Sequence, residues 1–177
     1  MKADQLDNAD PIYRSFMERQ LEEGTALAQS SEILRLHVPP LAPPHFIAEF
    51  NCKGLVSDSA GEIREGNHFQ VGIWFPPDYL RRVNPLQIVR LFTSGIWHPN
   101  VSQELPLICL GRLTPGTPLV SILYQVYEIL SYQRYNPREN DSLNKLACAW
   151  ARENQHRFPV DRRPLKRRLL NLEVRSA

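Results

Sequence analysis

The chain has 177 residues, of which 42% are hydrophobic and 23% charged, and its formal net charge is +2. This length suits one folded domain with a sizeable core, and the composition excludes a disordered chain. No apolar run approaches bilayer length and the first residues lack a signal-peptide core, so we expect neither membrane insertion nor secretion. The small net charge gives no argument for a nucleic-acid partner.

The positions of the cysteines and of the charged residues indicate where the protein works and which surfaces could meet a partner. The three cysteines, at positions 52, 109 and 148, fit neither a disulfide framework nor a zinc site. We therefore expect a free thiol and a reducing compartment, the cytoplasm. The first 23 residues are acid-rich, whereas the C-terminal stretch is basic, with Arg162, Arg163, Lys166, Arg167 and Arg168. That stretch is either a solvated surface or an arm that docks a partner or a nucleic acid.

The first predicted element is a helix that begins at Asp10-Pro11, with Asp10 as the cap and Pro11 in the first helical position. Apolar residues then recur at helical spacing and predict one buried stripe, made of Ile12, Phe16, Met17 and Leu21. Gly24 interrupts this pattern, and the helix continues or restarts beyond it.

An alternating pattern replaces the helical one from Leu34 and predicts four strands, at 34–38, 46–52, 69–75 and 88–92. Phe46, Phe50 and Cys52 share one face of the second strand, so Cys52 is expected to be a core thiol. Residues 57–61 form a turn or short loop. Short connections without helices favour an antiparallel meander with one face on the core.

The segment His98-Pro99-Asn100 predicts a rigid turn, because Pro99 fixes its own φ and disfavours a helical conformation at His98. Asn100 carries an amide that can donate two hydrogen bonds, and Cys109 is a potential nucleophile. The eight residues between them change from polar to apolar, which indicates a loop that folds back on itself.

Helical periodicity returns after this loop. Thr117-Pro118 predicts the start of a central helix, whose buried stripe is Leu119, Ile122, Leu123, Val126, Ile129 and Leu130. Asp141 or Ser142 should cap a third helix, with Leu143, Leu146, Ala147, Trp150 and Ala151 facing inward. Cys148 lies one position off that stripe, and a last basic helix is predicted from about Pro164. The order of elements indicates an α+β fold.

These residues resemble a known family, the ubiquitin-conjugating enzymes. His98-Pro99-Asn100 followed by Ile108-Cys109-Leu110 is similar to the family's active-site segment. Other segments occur in the family's order: Phe75-Pro76-Pro77-Asp78-Tyr79, Asn84-Pro85, Asn136-Pro137 and Asp141-Ser142-Leu143-Asn144. The resemblance covers about residues 11–158 and implies the ubiquitin-conjugating fold. We therefore predict a single domain over residues 1–177, with a basic tail at 159–177.

The resemblance implies a function as well. Cys109 would accept a ubiquitin-like protein as a thioester from an activating enzyme and pass it to the amine of a lysine on a protein substrate, with or without a ligase. The chain itself would hold no cofactor, because ATP is used by the activating enzyme. No metal is expected either, because the sequence lacks paired Cys or His spacing. Asn100 would stabilise charge in the second step, and Asp141 would orient or deprotonate the incoming lysine. His98, Pro99 and Asn136 would have structural roles at the site.

Several residues depart from the family's pattern. Ser142 replaces a proline, the tryptophan before the central helix is absent, and the first helix is acidic around Glu18–Glu23 where the family tends to be basic. These departures indicate a divergent member, for which a bacterial ubiquitin-like conjugation system is one origin. Two alternatives stay open: a catalytically silent relative that only binds a ubiquitin-like protein, and a cysteine hydrolase with His98 as base.

Overall fold

Four α-helices and six strands make up the described part of the chain, residues 10–39 and 45–167 of this computed structural model. The helices are α1 (Pro11–Gln29), α2 (Pro85–Ile88), α3 (Leu119–Leu130) and α4 (Lys145–Glu153). The strands are β1 (Leu34–His37), β2 (His45–Phe50), β3 (Gly54–Ser57), β4 (Ile63–Gly66), β5 (Phe69–Trp74) and β6 (Val89–Leu91). Two 3-10 turns lie at Glu139–Asp141 and Gln155–Arg157. None of these helices is long and apolar enough to cross a membrane.

The main sheet has four antiparallel strands in the order β1-β2-β5-β6, which confirms the four predicted strands and their α+β setting. A second, two-stranded sheet of β3 and β4 was not predicted, and residues 57–61 belong to its hairpin. Its strands lack a period-two signal, because none of the four residues of β4 is buried. The fourth predicted strand is shorter than expected, since Ile88 ends helix α2.

Helix α1 begins as predicted, but its buried face is different from the predicted one. Asp10 Oδ1 accepts a hydrogen bond from the Ile12 amide, as a cap should. Ile12 and Leu21 are exposed, and the buried face consists of Tyr13, Phe16, Met17, Gln20, Gly24 and Leu27. Gly24 does not interrupt the helix. It allows close packing, because a Cβ atom there would lie 2.7 Å from Leu119 Cδ2.

The central helix α3 is capped by a residue from α1. Thr117 does not cap it, because its hydroxyl donates to the Thr114 carbonyl at 2.7 Å. The amide of Leu119 instead donates to Gln20 Oε1 at 2.7 Å, and Gln20 Nε2 donates to the Phe16 carbonyl. Gln20 is fully buried, so this amide satisfies a helix terminus that has no access to water.

Helix α4 also starts later than predicted, at Lys145, with Asn144 rather than Asp141 or Ser142 as its cap. Leu146 is exposed, whereas Cys148 is fully buried together with Ala147 and Ala151, so the predicted stripe is displaced. Residues 164–167 are not helical, and the rest of the predicted basic helix lies outside the described residues. Nearby, Leu165 belongs to the core and the Tyr127 hydroxyl donates to the Arg163 carbonyl.

The substitution Gln20→Ala tests the capping contact between α1 and α3. We expect the free energy of unfolding to fall by about 2 kcal/mol, because the Leu119 amide would stay buried without a partner. The measurement is urea unfolding of the variant and the wild type. The exposed Glu22→Ala on the same helix is the control and should change stability by less than about 0.5 kcal/mol. Equal stability of Gln20→Ala and wild type would contradict this role.

Candidate active site

The predicted turn is attached to the hairpin that the sequence did not reveal. The Trp97 amide donates to the Leu55 carbonyl at 2.9 Å, and the Ser57 amide donates to the Gly95 carbonyl at 2.7 Å. Gly95 has φ of +71°, and a Cβ atom there would lie 2.7 Å from the Ser57 oxygen. Only glycine suits this close approach at Gly95. Through these two hydrogen bonds, β3 fixes the position of the chain immediately before His98.

The loop between Asn100 and Cys109 folds back on itself, as its change of polarity predicts. The Cys109 amide donates to the Asn100 carbonyl at 2.7 Å, and Val101 and Ile108 form an antiparallel bridge. The far end of the loop covers the edge of β6, where the Leu91 amide donates to the Pro106 carbonyl at 3.0 Å. The Cys109 segment is therefore hydrogen-bonded to the turn, and its loop to the main sheet.

The side chain of Asn100 joins three segments. Its Nδ2 donates to the Cys109 carbonyl at 2.9 Å, and its Oδ1 accepts from the Asn136 amide at 3.0 Å. Asn136 thus braces the site through its backbone, while its own Oδ1 accepts from the Arg138 amide. The Asn100 NH₂ group can donate two hydrogen bonds, and the bond to the Cys109 carbonyl uses one of its two N–H groups.

His98 is fully buried beneath the turn. Its Nδ1 accepts a hydrogen bond from the Asn100 amide at 3.0 Å, so the neutral ring carries its proton on Nε2. The ring lies edge-on to Tyr132, with 4.5 Å between centroids. Burial lowers the pKa of His98 to about 3, against an opposing effect of the Arg134 backbone. A ring held in this way is a poor general base, which argues against the hydrolase alternative.

Asp141 lies at the end of the first 3-10 turn and is exposed. The chain that follows it is hydrogen-bonded to the turn of the site at the Pro99 carbonyl oxygen. This oxygen accepts from the Ser142 hydroxyl at 2.9 Å and from the Asn144 amide at 3.1 Å. These contacts of Ser142 and Asn144 were not predicted from the sequence, although both residues lie in the segment Asp141-Ser142-Leu143-Asn144 that resembles the family.

The three cysteines differ in access to solvent. Cys52 and Cys148 are at most 1% exposed, and burial raises the pKa of Cys52 to about 12. Cys109 is only partly buried. Because a nucleophile must reach its substrate, Cys109 is the thiol of the three that suits chemistry on another protein.

Three solved structures with this arrangement of elements are described as ubiquitin-conjugating enzymes. A Toxoplasma gondii ubiquitin-conjugating enzyme domain is 21% identical, with a TM-score of 0.53 over 80% of this chain and 90% of its own. A Plasmodium yoelii protein described as a ubiquitin-conjugating enzyme is 22% identical, with a TM-score of 0.54 over 80% and 86%. A third, described as a novel ubiquitin-conjugating enzyme, is 18% identical, with a TM-score of 0.56 over 83% and 90%.

Sequence comparison gives a more local match. Ubiquitin-conjugating enzyme E2 27 of Arabidopsis thaliana is 30% identical over 82 residues, which are 44% of this chain and 41% of that protein. The chain therefore matches less than half the length of this relative. No protein-family model matches the chain. Together with the solved structures, this match confirms the predicted resemblance: the chain has the fold of the ubiquitin-conjugating enzymes, and its sequence is divergent.

The buried neutral His98 predicts a specific acid sensitivity. The unfolded chain binds a proton near pH 6.5, whereas the folded chain does so only near pH 3. His98 therefore favours folding above pH 6.5, and this contribution is lost as pH falls from 6.5 towards 3. Its slope approaches about 1.4 kcal/mol per pH unit.

We expect His98→Gln to remove this part of the pH dependence of the unfolding free energy, measured by urea unfolding between pH 4 and 7.5. The variant will also be less stable at every pH, so the slope and not the absolute stability is compared. His156→Gln, at an exposed histidine, is the control and should keep the wild-type slope. The same slope in His98→Gln and wild type would show that His98 is not buried in its neutral form.

Proposed function

We propose that this protein is a conjugating enzyme for a ubiquitin-like protein, which it carries as a thioester on Cys109 and transfers to a lysine amine. The observation that carries the proposal is the pairing of a partly exposed Cys109 with Asn100, within the fold of the ubiquitin-conjugating enzymes. The partners are an activating enzyme, the ubiquitin-like protein, a substrate and, for some substrates, a ligase. ATP is used by the activating enzyme.

The first step exchanges one thioester for another. The Cys109 thiolate attacks the thioester carbonyl on the activating enzyme, the new S–C bond forms, and the other cysteine leaves as a thiolate. Because bonds of the same kind are made and broken, the exchange needs access and thiolate character more than a dedicated base. The buried, neutral His98 is consistent with this requirement.

The second step is attack by the lysine amine on the Cys109 thioester. Negative charge develops on the carbonyl oxygen before the Cys109 sulfur leaves. An amide N–H of Asn100 donates to that oxygen and lowers the barrier. Asp141, exposed on the neighbouring turn, orients the lysine or accepts its proton.

The proposal predicts a thioester on Cys109 alone. With the cognate activating enzyme, ATP and the ubiquitin-like protein, we expect an adduct on a non-reducing gel that thiol reagent removes. Cys109→Ala should abolish it, whereas Cys148→Ala and Cys52→Ala should keep it, because both of these thiols are buried. An adduct that survives in Cys109→Ala would contradict the proposal, and no adduct in the wild type would favour the catalytically silent alternative.

The role of Asn100 is tested by single-turnover discharge of preformed thioester to free lysine. We expect Asn100→Ala to slow discharge by roughly 10²–10³, the cost of losing one donor to the developing charge. Charging should fall only a few-fold, although the variant also loses the hydrogen bonds to Cys109 and Asn136. A melting temperature recorded for the same variant measures that structural loss. Discharge at the wild-type rate, or equal loss of charging and discharge, would leave Asn100 a structural residue only.

A further inference from the structure

Ser142 occupies the position between the candidate catalytic carboxylate and the turn that holds Asn100. Its hydroxyl oxygen lies 2.9 Å from the Pro99 carbonyl oxygen and 2.8 Å from the Asn144 carbonyl oxygen, so one proton has two acceptors within reach. The same hydroxyl oxygen accepts from the Asn144 amide at 3.2 Å. The side chain of Ser142 is partly buried by these contacts.

These contacts form a short path between the two halves of the site. Asp141 is covalently adjacent to Ser142, Ser142 is hydrogen-bonded to the Pro99 carbonyl, and Asn100 follows Pro99 in the chain. Asn100 is in turn hydrogen-bonded to the Cys109 carbonyl. Two hydrogen bonds therefore connect the residue that carries the carboxylate with the residue that carries the thiol.

The backbone around Ser142 explains why a serine suits this position. Asp141 is the last residue of a 3-10 turn, and the Ser142 amide donates to the Glu139 carbonyl at 3.2 Å. A proline at 142 would have no amide hydrogen for this bond and no hydroxyl for Pro99. It would also disfavour the helical conformation at Asp141. With serine at 142, the turn that presents Asp141 therefore has two hydrogen bonds that proline could not make.

We propose that Ser142 is a positioning residue for lysine transfer, which holds Asp141 at a set place relative to the Cys109 thioester through its hydrogen bond to Pro99. The inference rests on the proposed function, because it concerns the second step of that reaction. Ser142 does not contact the reacting atoms in this account. It acts through Asp141, so its effect requires the carboxylate.

The test is a double-mutant cycle on the charged enzyme, with Ser142→Ala, Asp141→Asn and the double variant. The rate of single-turnover discharge to lysine is measured for each. We expect Ser142→Ala to slow discharge about fivefold in the wild-type background, the effect of one ordinary hydrogen bond on a barrier. The same substitution should have no effect in the Asp141→Asn background.

Three controls separate positioning from general damage to the site. Discharge to hydroxylamine, a nucleophile that is already unprotonated at neutral pH, should be unchanged in Ser142→Ala. Ser142→Thr, which keeps the hydroxyl, should restore lysine discharge to within twofold of wild type. Ser59→Ala, at an exposed serine of the β3–β4 turn, should behave as wild type.

Each outcome decides the inference. Wild-type lysine discharge in Ser142→Ala overturns it, and so does an equal loss in the presence and absence of the Asp141 carboxylate. Equal slowing with lysine and hydroxylamine also overturns it, because that result indicates a deformed site. If the wild type forms no thioester at all, the proposed function fails instead, and the inference fails with it.

Discussion

The hydrogen bonds of the Asn100 side chain are the constraint on which the candidate site depends. One amide group connects the Cys109 carbonyl with the Asn136 backbone, so it joins the turn, the thiol segment and the chain after α3. None of these three segments belongs to a long regular element, and β-type bonds alone would not fix their relative positions. A planar amide with a donor on one side and an acceptor on the other satisfies both neighbours at once.

Burial explains the division of roles around this amide. His98 lies under the turn with no exposed surface, next to Tyr132, whose ring also contacts Phe158 at 4.6 Å between centroids. In such a setting the neutral imidazole is favoured, and it serves the backbone as an acceptor. Cys109 is partly exposed and Asp141 is exposed, and these are the two residues that must meet other proteins in the proposed reaction.

The helices support the site indirectly, through polar contacts inside the core. Gln20 of α1 satisfies the first amide of α3, and Gly24 lets the two helices approach closely. Helix α3 ends at Leu130, two residues before Tyr132, which adopts φ of 56° and donates a hydrogen bond from its hydroxyl to the Trp97 carbonyl. Helix α1 thus fixes the position of α3, and α3 fixes the position of Tyr132, the residue that packs on His98.

Local patterns in the sequence determined the α+β order, the four strands of the main sheet, the start of α1 at Asp10 and the return of the loop from Asn100 to Cys109. These features depend on side-chain periodicity, on proline and on caps, which act between neighbours in the chain. The helix faces and the second sheet were predicted less well. The spacing of Ile12 and Leu21 fits a buried helical stripe, yet both are exposed. Gln20 and Gly24 are buried instead, because they make favourable contacts with Leu119.

In the candidate site, too, some features followed from the sequence and others depended on tertiary contacts. The residue types at 98–100 and 109 indicated a rigid turn beside a thiol, and the family resemblance assigned roles to Asn136 and Asp141. Only the tertiary structure determined that Asn100 bonds to both neighbouring segments, that His98 is buried and neutral, and that Ser142 and Asn144 meet at the Pro99 oxygen. These contacts join residues as far apart in the chain as Pro99 and Asn144, and no local pattern specifies such partners, because they depend on the packing of the whole chain.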